Sequence, residues 1–305
     1  MKKIIYIDRI TKKREIEDVY GGYFIELLYG SRWKSLLFGK ILKQLTVTTP
    51  LFSRWYGWCQ SNKRSKKKVR PFIERFGIDA NEFEKKTDAF TSFNDFFIRK
   101  LKKTARPITE GKNLLTMPAD GRYLAIERIR EEIPFLIKGN RFNLSELLHD
   151  TTLAKRYLGG TMVFCRLCPT DYHRFHFPCH CTPQPTSCIN GTLFSVNPMA
   201  LKKNARILTQ NKRFITTLQT EQFNDILFIE IGATNVGSVI QTSQPYHPYA
   251  KGAEKGYFAF GASAIVMLFE PNTIKIDRDL LDASKEEIEL RCLMGQQLGT
   301  ITNNQ

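Results

Sequence analysis

The sequence contains no apolar run long enough to cross a membrane. In its 305 residues no stretch approaches the roughly 20 apolar residues that a spanning helix needs. The start, MKKIIYIDRITKKREIEDVY, is basic, but Asp8 and Arg9 interrupt its apolar run, which makes it a poor secretory signal. The seven cysteines are odd in number. Without an export signal, this count favours reduced thiols in a cytosolic setting over a disulfide framework.

Acidic residues are few relative to basic ones. The chain has 30 Asp and Glu against 46 Lys and Arg, a net charge of +16 and a pI of about 9.5. This balance favours an anionic partner, either nucleic acid or an acidic membrane surface. The sequence lacks a helix-turn-helix, zinc-finger or RNA-recognition signature, so charge is the sole support for nucleic acid. The membrane surface is therefore the preferred interpretation, and no nucleic-acid partner is expected.

Residues 1–108 are predicted to form a helical, basic, membrane-associating region. SRWKSLLFGKILKQL places Trp33, Leu37 and Ile41 on one face of an amphipathic helix, with basic side chains mainly on the other. An ordinary surface helix packed on its own domain is the alternative. Trp58 and the basic residues at 63–70 follow, a combination of interfacial aromatics and cations that attracts anionic lipid headgroups.

Residues 109–305 are predicted to form a β-rich catalytic core, which makes the fold class α+β. Short apolar runs such as GTMVFCRL, DILFIEIGA and AIVMLFE alternate with Gly, Pro and Asn turns. Before this core, SFNDFFIRKL has the pattern of a short helix capped by Ser92, and Pro107 ends that segment. A further helix is predicted at ASKEEIELRCLMGQQL near the end of the chain.

Three short stretches in the core carry candidate chemistry. PADGR contains Asp120 in an Asp-Gly pair, for which an ordinary turn is the simpler explanation. PTDYHRFHFP contains His173 and His176, which lie on opposite faces if the segment is extended and on one face if it is helical. GASAI contains Ser263 before a buried strand predicted over residues 265–269. A serine hydroxyl is a weak nucleophile until a histidine oriented by an aspartate takes its proton.

The sequence resembles the phosphatidylserine decarboxylase family over nearly its whole length. The resemblance rests on SFNDFFIRKL, ARPI, PADGR, PTDYHRFHFP, VNPMAL, IEIGATNVGSV and KGYFAFGASAIVMLFE. DYHRFH and IGATNVGS are highly specific in combination. The resemblance implies a self-processing lyase of phospholipid biosynthesis that converts phosphatidylserine into phosphatidylethanolamine.

The resemblance also implies roles for individual residues. Asp120, His176 and Ser263 match the family's proteolytic triad, and cleavage after Ala262 would give chains 1–262 and 263–305. The Ser263 remnant would become a covalent pyruvoyl group, the cofactor, whose ketone takes the substrate amine and acts as the electron sink. His173 matches a family histidine near the substrate and is the candidate for carboxylate contact or proton delivery.

The residues beside Ser263 depart from the family pattern. The family has Gly-Ser-Thr at the cleavage site, whereas this chain has Ala262-Ser263-Ala264. Alanine restricts the backbone before the scissile bond, and loss of the threonine removes a possible donor to the oxyanion. We therefore expect slow or incomplete maturation. The alternative function is an unprocessed, non-catalytic lipid-binding relative.

The remaining expectations concern metals, partners and location. Cys165-x2-Cys168 followed by Cys179-His180-Cys181 has some zinc-site character, but the second pair is spaced by one residue, and no metal is expected. The family implies a homodimer, with each subunit a heterodimer of the two cleavage fragments. The expected location is the cytoplasmic side of the cell membrane, as a peripheral protein bound to its anionic surface.

Overall fold

The structure, a computed structural model, describes residues 4–18, 57–135, 140–232, 239–259 and 263–302. It has a β-rich α+β fold, as the sequence predicts. The helix predicted at residues 31–45 lies outside the described residues, as does Ala262 of the expected cleavage site. Among the helices that are described, none is both long and apolar enough to span a membrane.

Most of the described regular structure is β. The strands are β1 (Ile5–Asp8), β2 (Arg14–Ile16), β3 (Leu114–Thr116), β4 (Gly121–Glu127), β5 (Glu132–Pro134), β6 (Arg141–Asn143), β7 (Thr161–Leu167), β8 (Arg174–His176), β9 (Thr182–Pro183), β10 (Ser187–Ile189), β11 (Arg213–Gln219), β12 (Asp225–Gly232), β13 (Val239–Gln241), β14 (Glu254–Phe258), β15 (Ser263–Phe269), β16 (Ile274–Ile276), β17 (Glu289–Cys292) and β18 (Gln297–Ile301).

The helices are short and stand between these strands. The α-helices are α1 (Val69–Phe76), α2 (Phe93–Phe97), α3 (Leu144–Leu148), α4 (Thr151–Tyr157), α5 (Pro198–Leu201), α6 (Ile207–Gln210) and α7 (Arg278–Lys285), and the 3₁₀ helices are Lys63–Lys68, Ala80–Glu82, Thr87–Ala89 and Lys103–Ala105.

One ten-stranded sheet organises the core. Its order is β10-β11-β12-β15-β7-β4-β17-β1-β2, and β9 pairs with β11 beside this path. Its neighbouring strands pair antiparallel except β1 and β17, which are parallel. Smaller sheets are formed by β13-β14-β8, by β16-β18-β3 and by β5-β6.

The two faces of this sheet are covered by different elements. Alternate residues of its strands, such as Phe164 and Val266, pack with the apolar sides of α3 to α6, and we call this the helix face. The intervening residues, such as Cys165 and Ile265, pack with β3, β8, β14, β16, β18 and α7, and we call this the small-sheet face. Both faces are buried, which explains why the central strands read as continuous apolar runs.

A phenylalanine cluster joins the basic segment to the core. Phe72 of α1 and Phe96 of α2 are buried together with Phe83, Phe90 and Phe93. The Ser92 cap predicted for α2 is confirmed, since its hydroxyl accepts from the amide of Asp95 at 3.1 Å.

The prediction of a helix over ASKEEIELRCLMGQQL was wrong for most of that stretch. Helix α7 ends at Lys285, and the chain then forms β17 and β18. Strand β17 is held between β4 and β1, and Leu290 and Cys292 are buried there. Ladder hydrogen bonds and burial override local helix propensity at this position.

The sequence also did not predict that the first strands would join the core. Strand β1 lies parallel to β17, and β2 completes that edge of the main sheet. The described remainder of residues 1–108 is mainly short helices. The division of the chain at residue 108 stays a prediction.

Candidate active site

Ser263 is the first residue of β15 and is completely buried. It pairs with Gly232 of β12 on one side and with Leu167 of β7 on the other. The sequence placed Ser263 before a strand predicted over residues 265–269, but Ser263 and Ala264 both belong to that strand. The Ser263 hydroxyl has no hydrogen-bond partner among the described residues. A buried polar group without a partner destabilises a fold by about 1–3 kcal/mol, so its retention indicates a function.

His173 is also fully buried, just before β8. Its Nε2 lies 2.9 Å from the carbonyl oxygen of Cys168, and its ring stacks on Phe97 at 3.8 Å between centroids. Burial lowers its pKa to about 3 against the opposing effect of Asp171, so the imidazole is neutral near pH 7. Because Nε2 donates to the carbonyl, Nδ1 is an acceptor, and it has no partner among the described residues. His173 therefore offers an acceptor nitrogen that no described group occupies, on a ring that is a weak base.

His173 is anchored close to the pairing partner of Ser263. Its Nε2 contacts Cys168, which directly follows Leu167, the residue of β7 opposite Ser263. Its own carbonyl accepts from the amide of Phe258 at the end of β14.

His176 lies in extended backbone, so its side chain projects to the opposite side of β8 from that of His173. Its Nδ1 is 2.9 Å from the carbonyl oxygen of Gly252, and its Nε2 is 3.2 Å from the hydroxyl of Tyr172. Burial lowers its pKa. Both ring nitrogens of His176 thus have partners other than Ser263 and Asp120.

Asp120 lies in the bend before β4 and is buried. Its carboxylate accepts hydrogen bonds from Nε and Nη2 of Arg106, the latter at 2.7 Å, and from the backbone amide of Met294 at 2.8 Å. A Cβ at Gly121 would lie 2.5 Å from Sγ of Cys165, so glycine is required here for close packing.

Asp120 and His176 are neighbours without a direct hydrogen bond. The amide of His176 donates to the carbonyl of Pro118 at 2.8 Å, two residues before Asp120, and the Asp120 charge favours protonation of His176. The described hydrogen bonds do not link Ser263 to either residue. The assignment of Asp120, His176 and Ser263 to a triad stays a prediction.

A cavity of about 470 Å³ lies beside this region. Asp120 and Tyr172 line it together with the guanidinium groups of Arg99, Arg106 and Arg122. Sequence reasoning assigned no role to these arginines, although IRKL and ARPI belong to the quoted motifs. Carboxylates line the cavity as well, and those of Glu82 and Asp171 are paired with Arg106 and Arg122. An arginine with a donor to spare in such a cleft is suited to an anionic group of a ligand.

The cysteines that suggested zinc are free thiols. Cys165, Cys168, Cys179 and Cys181 are all buried. Across the described ranges, no group of three or more His, Cys, Asp or Glu side chains is arranged to hold a metal ion.

A β-rich α+β core that buries a serine hydroxyl and two imidazoles beside an arginine-lined cavity has the composition of an acid–base enzyme site. The family model for phosphatidylserine decarboxylase matches residues 93–300. The chain belongs to that family and is an enzyme of the decarboxylase class.

Three relatives are similar along almost their whole length. The phosphatidylserine decarboxylase proenzymes of Chlamydia pneumoniae and Chlamydia felis are 50% and 49% identical to this chain over 299 residues, which covers 98% of each chain. The proenzyme of Chlamydia trachomatis serovar L2 is 40% identical over 298 residues, 98% of this chain and 97% of its own. These relatives give no support to the non-catalytic alternative.

Proposed function

We propose that this chain is a precursor that cleaves itself between Ala262 and Ser263 and then decarboxylates phosphatidylserine to phosphatidylethanolamine. The observation that carries the proposal is the Ser263 hydroxyl, which is fully buried at the start of β15 without a partner among the described residues. Membership of a family whose relatives are named proenzymes supports it.

The cleavage needs a hydroxyl and proton transfers. Oγ of Ser263 attacks the carbonyl carbon of Ala262, the amide C–N bond breaks, and the proton from Oγ ends on the amide nitrogen, which gives an ester. Loss of the Cα proton of residue 263 then expels the carboxylate of residue 262. Water converts the resulting dehydroalanine into a pyruvoyl group and ammonia. When present, that group supplies the electron sink for loss of carbon dioxide.

The two histidines have different roles in this proposal. His176 accepts the Ser263 proton during maturation, and for this its Nε2 must exchange the Tyr172 hydroxyl for that of Ser263. His173 serves the decarboxylation, because its Nδ1 has no partner within the described ranges and its neutral ring can orient the substrate or pass a proton. Asp120 favours the charged form of His176 from nearby.

Substrate binding is assigned to the arginine-lined cavity and the basic segment beside it. The headgroup of phosphatidylserine carries a phosphate and a carboxylate, and Arg99, whose Nε has no partner among the described residues, can pair with such an anion. Exposed Trp58 and the exposed basic side chains within residues 63–70 would hold the protein at an anionic bilayer. We infer a peripheral protein on the cytoplasmic side of the cell membrane, a homodimer in which each subunit is a pair of cleavage fragments.

Intact mass spectrometry tests the proposal. The purified chain should convert over time into fragments 1–262 and 263–305, the smaller with a blocked N-terminus. The Ser263→Ala variant should stay whole, because it lacks the nucleophile. Ser187→Ala, an exposed strand position, should cleave like the parent. Cleavage that persists in Ser263→Ala would overturn the proposed function.

A further inference from the structure

A buried ion pair lies between β12 and β14. Nζ of Lys255 is 2.5 Å from Oε1 of Glu230, and neither residue is exposed to solvent. The other donors of Lys255 reach Oγ1 of Thr216 at 3.0 Å and Oε1 of Gln241 at 2.9 Å. Burying two charges is costly even when they are paired, so an ion pair of this kind is weak evidence for stability and suggests another role.

One of the two Glu230 carboxylate oxygens accepts hydrogen bonds, and the other has no donor among the described residues. Oε1 accepts from Lys255 and from Nε2 of Gln241 at 3.1 Å. Oε2 is buried and has no partner among the described residues. A carboxylate oxygen removed from water normally has a donor, so Oε2 is free to accept one more hydrogen.

The strand register places this acceptor beside Ser263. Glu230 pairs with Ile265, and Gly232 pairs with Ser263, so the side chains of Glu230 and Ser263 project from the same, small-sheet face. The two residues are diagonal neighbours on adjacent strands, where the Cα separation is about 7–8 Å and a long side chain can reach. Gly232, opposite Ser263, has no side chain that could stand between them. The Ser263 hydroxyl is a donor that also lacks a partner among the residues that the structure describes.

We propose that Glu230 is a positioning residue for Ser263. In the precursor, its Oε2 accepts the hydrogen of the Ser263 hydroxyl, while Lys255 holds Oε1 in place. The contact forms by rotation of side chains, since the register already sets the two backbones. When the attack begins, Nε2 of His176 replaces Oε2 as the acceptor and passes the proton from Oγ to the amide nitrogen of residue 263, and Glu230 ends unchanged. The inference rests on the proposed self-cleavage at Ser263.

A comparison of two buried carboxylates tests this role. In Glu230→Gln, Lys255 retains the amide oxygen and turns the NH₂ group toward Ser263, so a donor replaces the acceptor. Cleavage should slow by about tenfold or more, because no acceptor then holds the Ser263 hydroxyl in place. Glu289 offers the control, because it is buried on the helix face of the same sheet and pairs with Arg166 at 2.5 Å. Glu289→Gln should cleave at the parent rate.

The measurement follows the first step of cleavage directly. Each chain is incubated with neutral hydroxylamine, which cuts an ester or thioester at residue 263 but leaves an amide whole, and fragments are timed by intact mass. Ala262→Gly with Ala264→Thr serves as the parent if the natural chain is slow. A Ser263→Cys background adds a test of coupling, because a thiol ionises without such help. There, Glu230→Gln should slow the reaction far less.

A second variant guards against a folding defect. Glu230→Leu with Lys255→Met removes both charges together, so it leaves no unpaired ion, and it should be as slow as Glu230→Gln. Parent-like cleavage in either folded variant, or an equal slowing in the serine and cysteine backgrounds, would overturn the inference and leave the proposed function intact. Failure of both variants to fold would assign Glu230 to stability and would also overturn it. Absence of cleavage in every parent would overturn the proposed function itself.

Discussion

His173 and His176 lie three residues apart, but the hydrogen bonds of their ring nitrogens differ. One ring nitrogen of His173 is free among the described atoms, whereas both ring nitrogens of His176 have partners. The difference follows from extended backbone, which sends the two side chains to opposite sides. A helix would have placed both on one side and allowed one shared role.

The two histidines should therefore separate maturation from turnover. We expect His176→Ala to slow self-cleavage by about 10²–10⁴-fold, the usual contribution of a positioned base. His173→Ala should cleave at least in part but decarboxylate poorly, because it lacks the free nitrogen. Fragment formation by intact mass and carbon dioxide release measure the two steps. Equal processing of both variants would show that His176 is not the base.

Tyr172→Phe provides a control for this pair. It removes the hydroxyl that occupies Nε2 of His176 and leaves the ring in place. Cleavage should continue in this variant.

Burial of His173 should also affect the pH dependence of stability. Its pKa is about 3 in the folded chain, against about 6.5 for an unperturbed histidine. Between these values the unfolded chain binds a proton that the folded chain does not. The stabilisation is therefore present above about pH 6.5 and is lost as the pH falls, by up to about 1.4 kcal/mol per pH unit.

Urea unfolding at several pH values checks this expectation. Between about pH 6 and pH 4, the free energy of unfolding should fall less steeply in His173→Gln than in the parent, by roughly 1 kcal/mol per pH unit. Identical slopes would mean that His173 is protonated in the folded protein.

At the scale of elements, β15 determines the surroundings of the candidate nucleophile. Ser263 projects from the small-sheet face, while Ala264 pairs with Arg166 and packs on the helix face. The Ala264 side chain thus lies on the face opposite to Ser263, so this neighbour affects the serine mainly through the backbone at the start of β15. This arrangement bears on the departure from the family motif.

Restoration of that motif should speed maturation. Ala262→Gly widens the backbone angles available before the scissile bond, and Ala264→Thr adds a possible oxyanion donor, an interaction of roughly 3 kcal/mol when fully formed. The double variant should convert faster than the natural chain in a time course by intact mass. Rapid and complete cleavage of the natural chain would show that these two alanines are compatible with maturation.

Element types were predictable where both strand faces are buried. GTMVFCRL, DILFIEIGA and AIVMLFE form β7, β12 and β15, because long apolar runs can satisfy the two covered faces of a central strand. ELRC in β17 was missed, since its residues have helix propensity and become strand by pairing with β4 and β1. No local signal specifies a partner so distant in sequence.

At the scale of the whole molecule, segment 63–70 carries a dense group of exposed basic side chains, which contributes to the excess of positive charge. It begins with a 3₁₀ helix, Lys63–Lys68, and continues into α1, whose apolar side is fixed by the phenylalanine cluster. The phenylalanine cluster thereby holds a cationic surface in place. The exposed Trp58 precedes this surface by a few residues in the sequence.

Charge reversal in this segment should weaken membrane binding. Lys66, Lys67 and Lys68 changed to Glu should reduce sedimentation with anionic liposomes about a hundredfold, at roughly 1 kcal/mol for each basic residue removed. A matched control changes Lys275, Arg278 and Lys285 to Glu, with the same change in net charge on β16 and α7. This control should bind nearly as well as the parent. Equal loss in both variants, or no loss at moderate salt, would contradict the assignment.

The sequence alone determined the class of fold, the family and the candidate residues Asp120, His173, His176 and Ser263, because these depend on local patterns and short motifs. The tertiary structure decided which groups meet. It paired Asp120 with Arg106 and occupied both nitrogens of His176. On one face of the sheet, it left the Ser263 hydroxyl and Oε2 of Glu230 without partners in the part of the chain that the structure describes. Strand register and burial are set by residues far apart in the chain, so the surroundings of each group emerge when the sheet is assembled.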